Sequence, residues 1–316
     1  MTSGQVRVAV VGIGEVGRGW ATLCVAAGWP VALFDNQAEA LDVAPAEISG
    51  RARALVSLGQ ADEATAETGI AGIKVGRSLL QACGDAQWII EAIGEDLASK
   101  QKLYEAFESV APKARAITSS SDRLSVNDLV ARCRRPDRVL VTHPMNPVEL
   151  ISLVELVPGA QTDAALLEVV KGWLRALGRI PVTIRKPIQG NVAGRIAAAV
   201  WREAIDLVLK GVIEVDDLDR AVSVGPALGW AAAGPHLTHH LSAGRRSVET
   251  VLQTALLAHE PYWADLATWS KLEPEQKHRL IHAIEKAYAG QVDQIRRARN
   301  RRLAAILRAL EEARTT

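Results

Sequence analysis

The chain has 316 residues, 37 Lys+Arg against 36 Asp+Glu for a net charge of +1, and is 48% hydrophobic. That balance gives no electrostatic case for nucleic acid or an anionic membrane surface, no long uncharged apolar run suggests a membrane span, and the length fits two domains. Cys24, Cys83 and Cys133 are scattered without metal spacing, and residues 1–4 are too short for a signal peptide; both point to a reducing, cytoplasmic setting without disulfides.

In chain order, an apolar run at 6–11 feeds into Gly12-Ile13-Gly14-Glu15-Val16-Gly17. A helical stretch follows, then a second apolar run at 31–34 that ends on Asp35. Strand, glycine turn, helix, strand and acid together describe a dinucleotide-binding unit. Gly12 permits the tight turn, Gly14 lets the backbone approach a pyrophosphate, and Gly17 lets the helix pack closely. The helix N-terminus offers N–H groups to the anion. Asp35 can accept from both ribose hydroxyls and would repel a 2′-phosphate, so NAD(H) is the expected cofactor. A long helical stretch to about Glu67 comes next, then strands near 73–75, 88–91, 116–118 and 139–142, separated by helices such as 98–110. This alternation predicts a doubly wound parallel sheet of Rossmann type. Strand candidates at 151–157 and 180–184 flank a helix at 164–177. Lys186, Pro187 and Gly190 break the pattern, and the rest reads as helix, ending in an Arg-rich helix over 283–313 that is best explained as a solvated face. The expected domains are 1–186, binding NAD, and 187–316, all helical.

Ligands of such a sheet sit beyond the carboxyl ends of its strands. Those positions hold Glu91 and Glu95, the run Ser119-Ser120-Ser121-Asp122, and His143 through Pro147. Glu155 lies inside the apolar run Leu153-Val154-Glu155-Leu156-Val157, where a carboxylate is costly unless paired. His143 is a natural partner, giving a pair in which the imidazole moves a proton and the carboxylate orients it. The plainer alternative is an outward-facing Glu155 on an edge strand and a His143 that only closes a loop.

His143-Pro144-Met145-Asn146-Pro147, followed by Leu153-Val154-Glu155, resembles the HxxNP…LVE signature of the 3-hydroxyacyl-CoA dehydrogenase family. Glu91 to Lys100 is similar to that family's EAxxExxxxK segment, and Asp216 to Asp219 with Gly225-Pro226 and Gly234-Pro235 looks like its C-terminal domain. The long tail is most similar to the branch holding lambda-crystallin (L-gulonate 3-dehydrogenase) and carnitine dehydrogenase. The resemblance covers nearly the whole chain. It implies hydride transfer between NAD(H) and a 3-hydroxy or 3-keto substrate, with His143 as base and Glu155 orienting it. It further implies cofactor contacts at Glu95, Lys100, Ser120 and Asn146, and a homodimer formed through the helical domain.

The departures are also informative. The family's substrate-binding Ser falls on Asp122, counting back from His143 without a gap. The GFxxNR motif reads Gly190-Asn191-Val192-Ala193-Gly194-Arg195, with Gly194 in place of the Asn, and Trp230 stands where the branch has a carboxylate-binding Arg. Donors and a cation are lost while a carboxyl group is gained. Ketone reduction builds negative charge on oxygen and favours donors, whereas reduction of an iminium discharges a cation that carboxylates and Trp faces stabilise. Between Asp35 and Gly72 only Arg51 and Arg53 are basic, which argues against a coenzyme A substrate. The expected function is therefore a 3-hydroxy acid dehydrogenase not linked to CoA. The alternatives are an imine reductase for bulky cyclic imines with Asp122 as proton donor, and a redox-inactive dinucleotide binder. Asn191, Gly194, Trp201 and Trp230 are the candidate substrate pocket, with core packing as the plainer reading of both Trp. His236, His239 and His240 share a helix face without a suitably spaced carboxylate or thiol, so no metal is expected.

Overall fold

A computed structural model describes residues 5–242, 244, 247–290 and 292–313; the leader reading of residues 1–4 lies outside them. The chain divides into two units, Met1–Arg195 and Ile196–Thr316.

The first unit opens with β1 (Val8–Val11), α1 (Glu15–Ala26) and β2 (Val31–Phe34). β1 is apolar and buried throughout, as a strand covered on both faces must be. Two helices, α2 (Ala38–Ser57) and α3 (Glu63–Ala71), replace the single one expected to about Glu67. Gly59 takes φ 68°, and Asp62 caps the second helix by accepting from the N–H of Thr65. The alternation continues through β3 (Lys74–Val75), α4 (Leu79–Cys83), β4 (Trp88–Glu91), α5 (Leu97–Val110), β5 (Ala116–Ser119), α6 (Val126–Leu129) and β6 (Val139–Pro144). It ends with β7 (Leu153–Pro158), α7 (Ala164–Ala176) and β8 (Ile180–Thr183).

The eight strands form one sheet in the order β3-β2-β1-β4-β5-β6-β7-β8. All neighbours are parallel except β6 and β7, so the doubly wound sheet expected from the alternation carries one antiparallel pair, whose direction the strand candidates alone did not give. Residues 145–152 are too few for a crossover helix, so the chain turns back beside β6. β7 therefore lies between β6 and β8, which removes the edge-strand reading of Glu155. β1 sits between β2 and β4, and this reversal of strand order opens a crevice at their carboxyl ends.

Both faces of the sheet are packed. On one, Val11, Ile89, Ile117 and Val141 meet Tyr104, Phe107 and Leu129 of the covering helices. The other carries Trp88, whose ring stacks on Trp173 (centroids 5.5 Å apart) and meets Trp20 edge-on at 6.0 Å. The indole N–H of Trp88 donates to Thr118 Oγ1 at 2.9 Å. Burial pushes the thiols of Cys24 and Cys83 up to about 12 and that of Cys133 to about 11. Because the thiolate is the reacting species, Ellman's reagent at mildly alkaline pH should titrate almost no thiol in the native chain and all three once it is unfolded. Rapid release from the native chain would contradict this packing.

The second unit is helical. α8 (Ala193–Leu209) begins just before the division and is followed by α9 (Val215–Val224), α10 (Pro226–Ala233), α11 (Pro235–Ser242) and α12 (Val248–Asp265). The single final helix expected over 283–313 is instead the pair α13 (Pro274–Tyr288) and α14 (Val292–Glu312), with Gly290 between them at φ 76°. Trp201 and Trp230 are 63% and 40% exposed, so neither fills a core. His236, His239 and His240 lie on α11, and no group of metal-ligating side chains occurs among the described residues. No described helix is long and apolar enough to cross a membrane.

Candidate active site

The glycine turn leads into a cavity of about 780 Å³ lined by Gly12, Gly14, Asp35, Ile93 and Lys102 among others. Gly12 holds φ 92°, and a Cβ there would lie 2.6 Å from the carbonyl of Ala92. A Cβ on Gly17 would come 1.9 Å from the carbonyl oxygen of Gly12. A Cβ on Gly14 meets no protein atom within 4 Å; the space it faces is the cavity itself. Each glycine thus meets the demand its sequence position implied. Asp35 closes β2 at the rim, where its carboxylate accepts from the N–H groups of Ile13 (2.6 Å) and Gln37 (2.9 Å). Open backbone at a helix start beside a fixed carboxylate fits the pyrophosphate and ribose of an adenine dinucleotide.

These glycines separate two kinds of substitution. Gly17→Ala should force the turn and α1 apart, costing about 1–3 kcal/mol of stability along with cofactor affinity. Gly14→Ala should fold like the parent yet lose NADH affinity, because its methyl group enters the cradle. Urea unfolding and fluorescence titration of NADH measure both. Equal NADH affinity in Gly14→Ala and the parent would remove Gly14 from the cradle.

In-register strands place Val11, Glu91, Ser119, Val141 and Val157 in one row across the sheet, on one face. Glu91 is fully buried, and α5 covers it. Its Oε1 takes Lys100 Nζ at 2.6 Å and the N–H of Ile93 at 2.8 Å, and its Oε2 takes Ser119 Oγ at 2.7 Å and Tyr104 Oη at 3.3 Å. Lys100, expected near the cofactor, is itself fully buried in this pair and also donates to the carbonyl of Ile93 at 3.2 Å. Glu95 accepts from Ser121 Oγ at 2.7 Å, Ser120 Oγ accepts from the indole of Trp20 at 3.1 Å, and Asn146 is exposed.

Two residues further along the hairpin, His143 and Glu155 face each other in register. His143 Nδ1 lies 3.1 Å from Glu155 Oε2, and their side chains are 15% and 2% exposed. The other oxygen, Oε1, accepts from the backbone N–H groups of Val192 and Ala193, both at 2.9 Å. Glu155 therefore serves the imidazole and the first turn of α8 together, a helix end that favours an anion. Sequence reasoning missed those two donors, since an N–H group leaves no mark in side-chain identity. The segment joining the two strands is held from beneath by Arg179, whose Nη1 donates to the carbonyls of Leu150 (3.4 Å) and Ile151 (3.1 Å). Burial pushes this guanidinium down to about 10.

Val141 and Val157, two residues back along the hairpin from His143 and Glu155, line a smaller cavity of about 240 Å³ together with Asp122, Ser125 and Asn191. Asp122 is half exposed; its carboxylate lies 3.6 Å from Arg123 Nε, and its carbonyl accepts from Gly190 N–H at 3.0 Å. Asn191, at φ 49°, is buried with its Nδ2 unpartnered. A Cβ on Gly194 would meet nothing within 4 Å.

Comparisons with known proteins identify the family. Residues 7–187 match the model for the NAD binding domain of 3-hydroxyacyl-CoA dehydrogenase, and residues 190–280 match the model for its C-terminal domain. L-carnitine dehydrogenase of Nocardiopsis dassonvillei is 31% identical over 96% of this chain and 92% of its own. The L-carnitine dehydrogenase of Bacillus cereus is 29% identical over 97% of this chain and 93% of its own. Among solved structures, an NAD+ dependent dismutase, 5-formyl-3-hydroxy-2-methylpyridine 4-carboxylic acid 5-dehydrogenase, superposes with a TM-score of 0.81 over 98% of this chain and 99% of its own at 24% identity, a likeness of fold. (S)-3-hydroxybutyryl-CoA dehydrogenase of Ralstonia eutropha gives 0.62 at 26% identity over 70% of this chain and 78% of its own.

Proposed function

This chain belongs to the 3-hydroxyacyl-CoA dehydrogenase family and is an NAD-dependent oxidoreductase, and from that premise we propose that it moves hydride between NAD(H) and a 3-hydroxy or 3-keto acid that is not carried on coenzyme A. The His143–Glu155 pair carries this reading. With its Nδ1–H donated to a carboxylate that two backbone donors hold still, the imidazole keeps Nε2 free to take the proton of a substrate hydroxyl. NAD+ supplies the hydride acceptor. In the reverse direction Nε2 returns the proton to the developing alkoxide.

We assign Gly12, Gly14, Gly17 and Asp35 to the adenosine and pyrophosphate, and Glu95, Ser120 and Asn146 to the rest of the cofactor. Lys100 acts from beneath, through Glu91 and the carbonyl of Ile93. Asp122, Asn191 and Gly194 border the substrate. Two observations support a substrate without coenzyme A. Relatives are named for L-carnitine, a free 3-hydroxy acid. Arg51 is held bidentate by Glu15, and Arg53 by Glu67, so neither is free for coenzyme phosphates. The helical unit buries few apolar side chains, Ile205, Val215 and Leu218 among them, while Leu228, Leu241, Leu257 and Trp263 are exposed. A homodimer through that unit would cover them. Unpaired thiols suit a cytoplasmic setting.

Asp122 favours a second reading, reduction of a cyclic imine. An Asp122 that lines a cavity with Val141 and Val157, together with an open Cβ position at Gly194, suits a bulky cationic substrate. Parallel assays of NADH oxidation with a free 3-keto acid, acetoacetyl-CoA and a dihydroisoquinoline, and of NAD+ reduction with L-carnitine, separate the readings. The first reading expects turnover of the free acids above that of the CoA ester. Turnover of the dihydroisoquinoline alone would replace it with the second. Asp122→Ser should then move preference toward C=O by about tenfold or more; an unchanged ratio would place Asp122 away from the reacting carbon.

A further inference from the structure

A cleft of about 560 Å³ opens at the amino-terminal end of β6, where the end of α5 meets the segment entering the strand. His143 lies at the other end of β6, roughly 17 Å away along the strand. Arg132, Arg134, Arg135 and Arg138 line this cleft, with Glu105 and Glu108 opposite. Neither carboxylate forms a side-chain ion pair with these guanidinium groups among the described residues. Both oxygens of Glu108 are taken by backbone, the N–H groups of Arg134 (3.0 Å) and Arg135 (2.6 Å). The Arg135 guanidinium goes to Asp137 at 2.9 Å. Neither Arg132 nor Arg134 forms a side-chain ion pair with any described residue.

Arg138 is the unusual member. It is only 5% exposed, and its Nη1 donates to the carbonyls of Ala111 (3.1 Å) and Ala114 (3.2 Å), both uncharged. Its Nε is buried with no acceptor. Burial, and secondarily the nearby Arg135, push this guanidinium below its ordinary value, and the charges of Glu108 and Asp137 only partly oppose them. A desolvated cation with only neutral acceptors is costly unless an anion completes it.

We propose that this cleft is a binding site for a small phosphate ester, separate from the cofactor and substrate sites. Guanidinium forks on Arg132, Arg134 and Arg138 match phosphate oxygens. Glu105, which also lines the cleft, accepts from hydroxyls of the ester. The volume of this open cleft suits a metabolite-sized molecule, and no aromatic side chain lines it for base stacking.

The test is calorimetric titration of pyrophosphate into the full chain already saturated with NADH, so that the cofactor cavity is filled. The expected result is residual binding at one site per chain. Arg132→Ala with Arg134→Ala should weaken it by about tenfold or more, with NADH affinity and circular dichroism unchanged. Absence of heat once NADH is bound would assign all pyrophosphate binding to the cofactor cavity and overturn the proposal. Undiminished affinity in the double variant would overturn it equally.

Discussion

Replacing His143 with alanine is expected to cut turnover of the 3-hydroxy or 3-keto substrate by about 10²- to 10⁴-fold, the usual contribution of a positioned general base, and to leave NADH affinity unchanged. The glycine turn and Asp35, assigned above to the dinucleotide, line the larger cavity, whereas His143 stands on the far side of β4 and β5 from β1. Binding and chemistry therefore separate in this variant. Glu155→Gln should fall between the variant and the parent, because the amide can still accept from Val192 and Ala193 while no longer carrying the charge that stabilises an imidazolium. Steady-state kinetics with an NADH titration measure both. Near-parental turnover in His143→Ala would mean that the proton travels by another group.

The second large effect concerns stability. Lys100→Met should cost about 3–5 kcal/mol, because it leaves the carboxylate of Glu91 buried without its counter-ion. Ser119, Tyr104 and the N–H of Ile93 would still donate to Glu91, but none carries a positive charge. Joining it with Glu91→Gln removes the stranded charge and should recover a substantial part of the loss, the non-additivity expected of contacting residues. Urea unfolding of the two single variants and the double variant completes the cycle. Strict additivity would show that the pair is not coupled. Ile93 receives a bond from Lys100 and lines the cavity proposed for the cofactor, so Lys100→Met should also weaken NADH binding.

What could be read in the sequence followed from demands that only certain residues meet. Gly12 stands at a backbone angle that favours glycine, and Gly17 where any Cβ collides with the turn, so the cradle announces itself in side-chain identity. Glu155 is conspicuous because an apolar strand rejects a lone carboxylate. What stayed hidden depends on distant parts of the chain. The reversal at β7 was masked because a strand's own pattern does not state its direction. The break between α2 and α3 rests on one glycine and one capping aspartate within an otherwise helical pattern. Lys100 matched a motif by position, but its burial beneath the cavity is a property of how α5 lies on β4. The Trp88 cluster brings Trp20, Trp29 and Trp173 from two distant segments onto β4, and sequence reasoning singled out Trp201 and Trp230 instead, which are exposed.

Glu155 has two employers, and they differ in what they tolerate. The start of α8 needs an acceptor at this position whether or not hydride ever moves, while the imidazole has no comparable duty to the scaffold. A descendant that abandoned redox chemistry would still be held to an acceptor at position 155, glutamate or glutamine, and would be free to drift at the histidine. In comparing remote members of such a lineage, the ring at position 143 is the diagnostic character, and survival of the acid alone says little about whether the reaction persists.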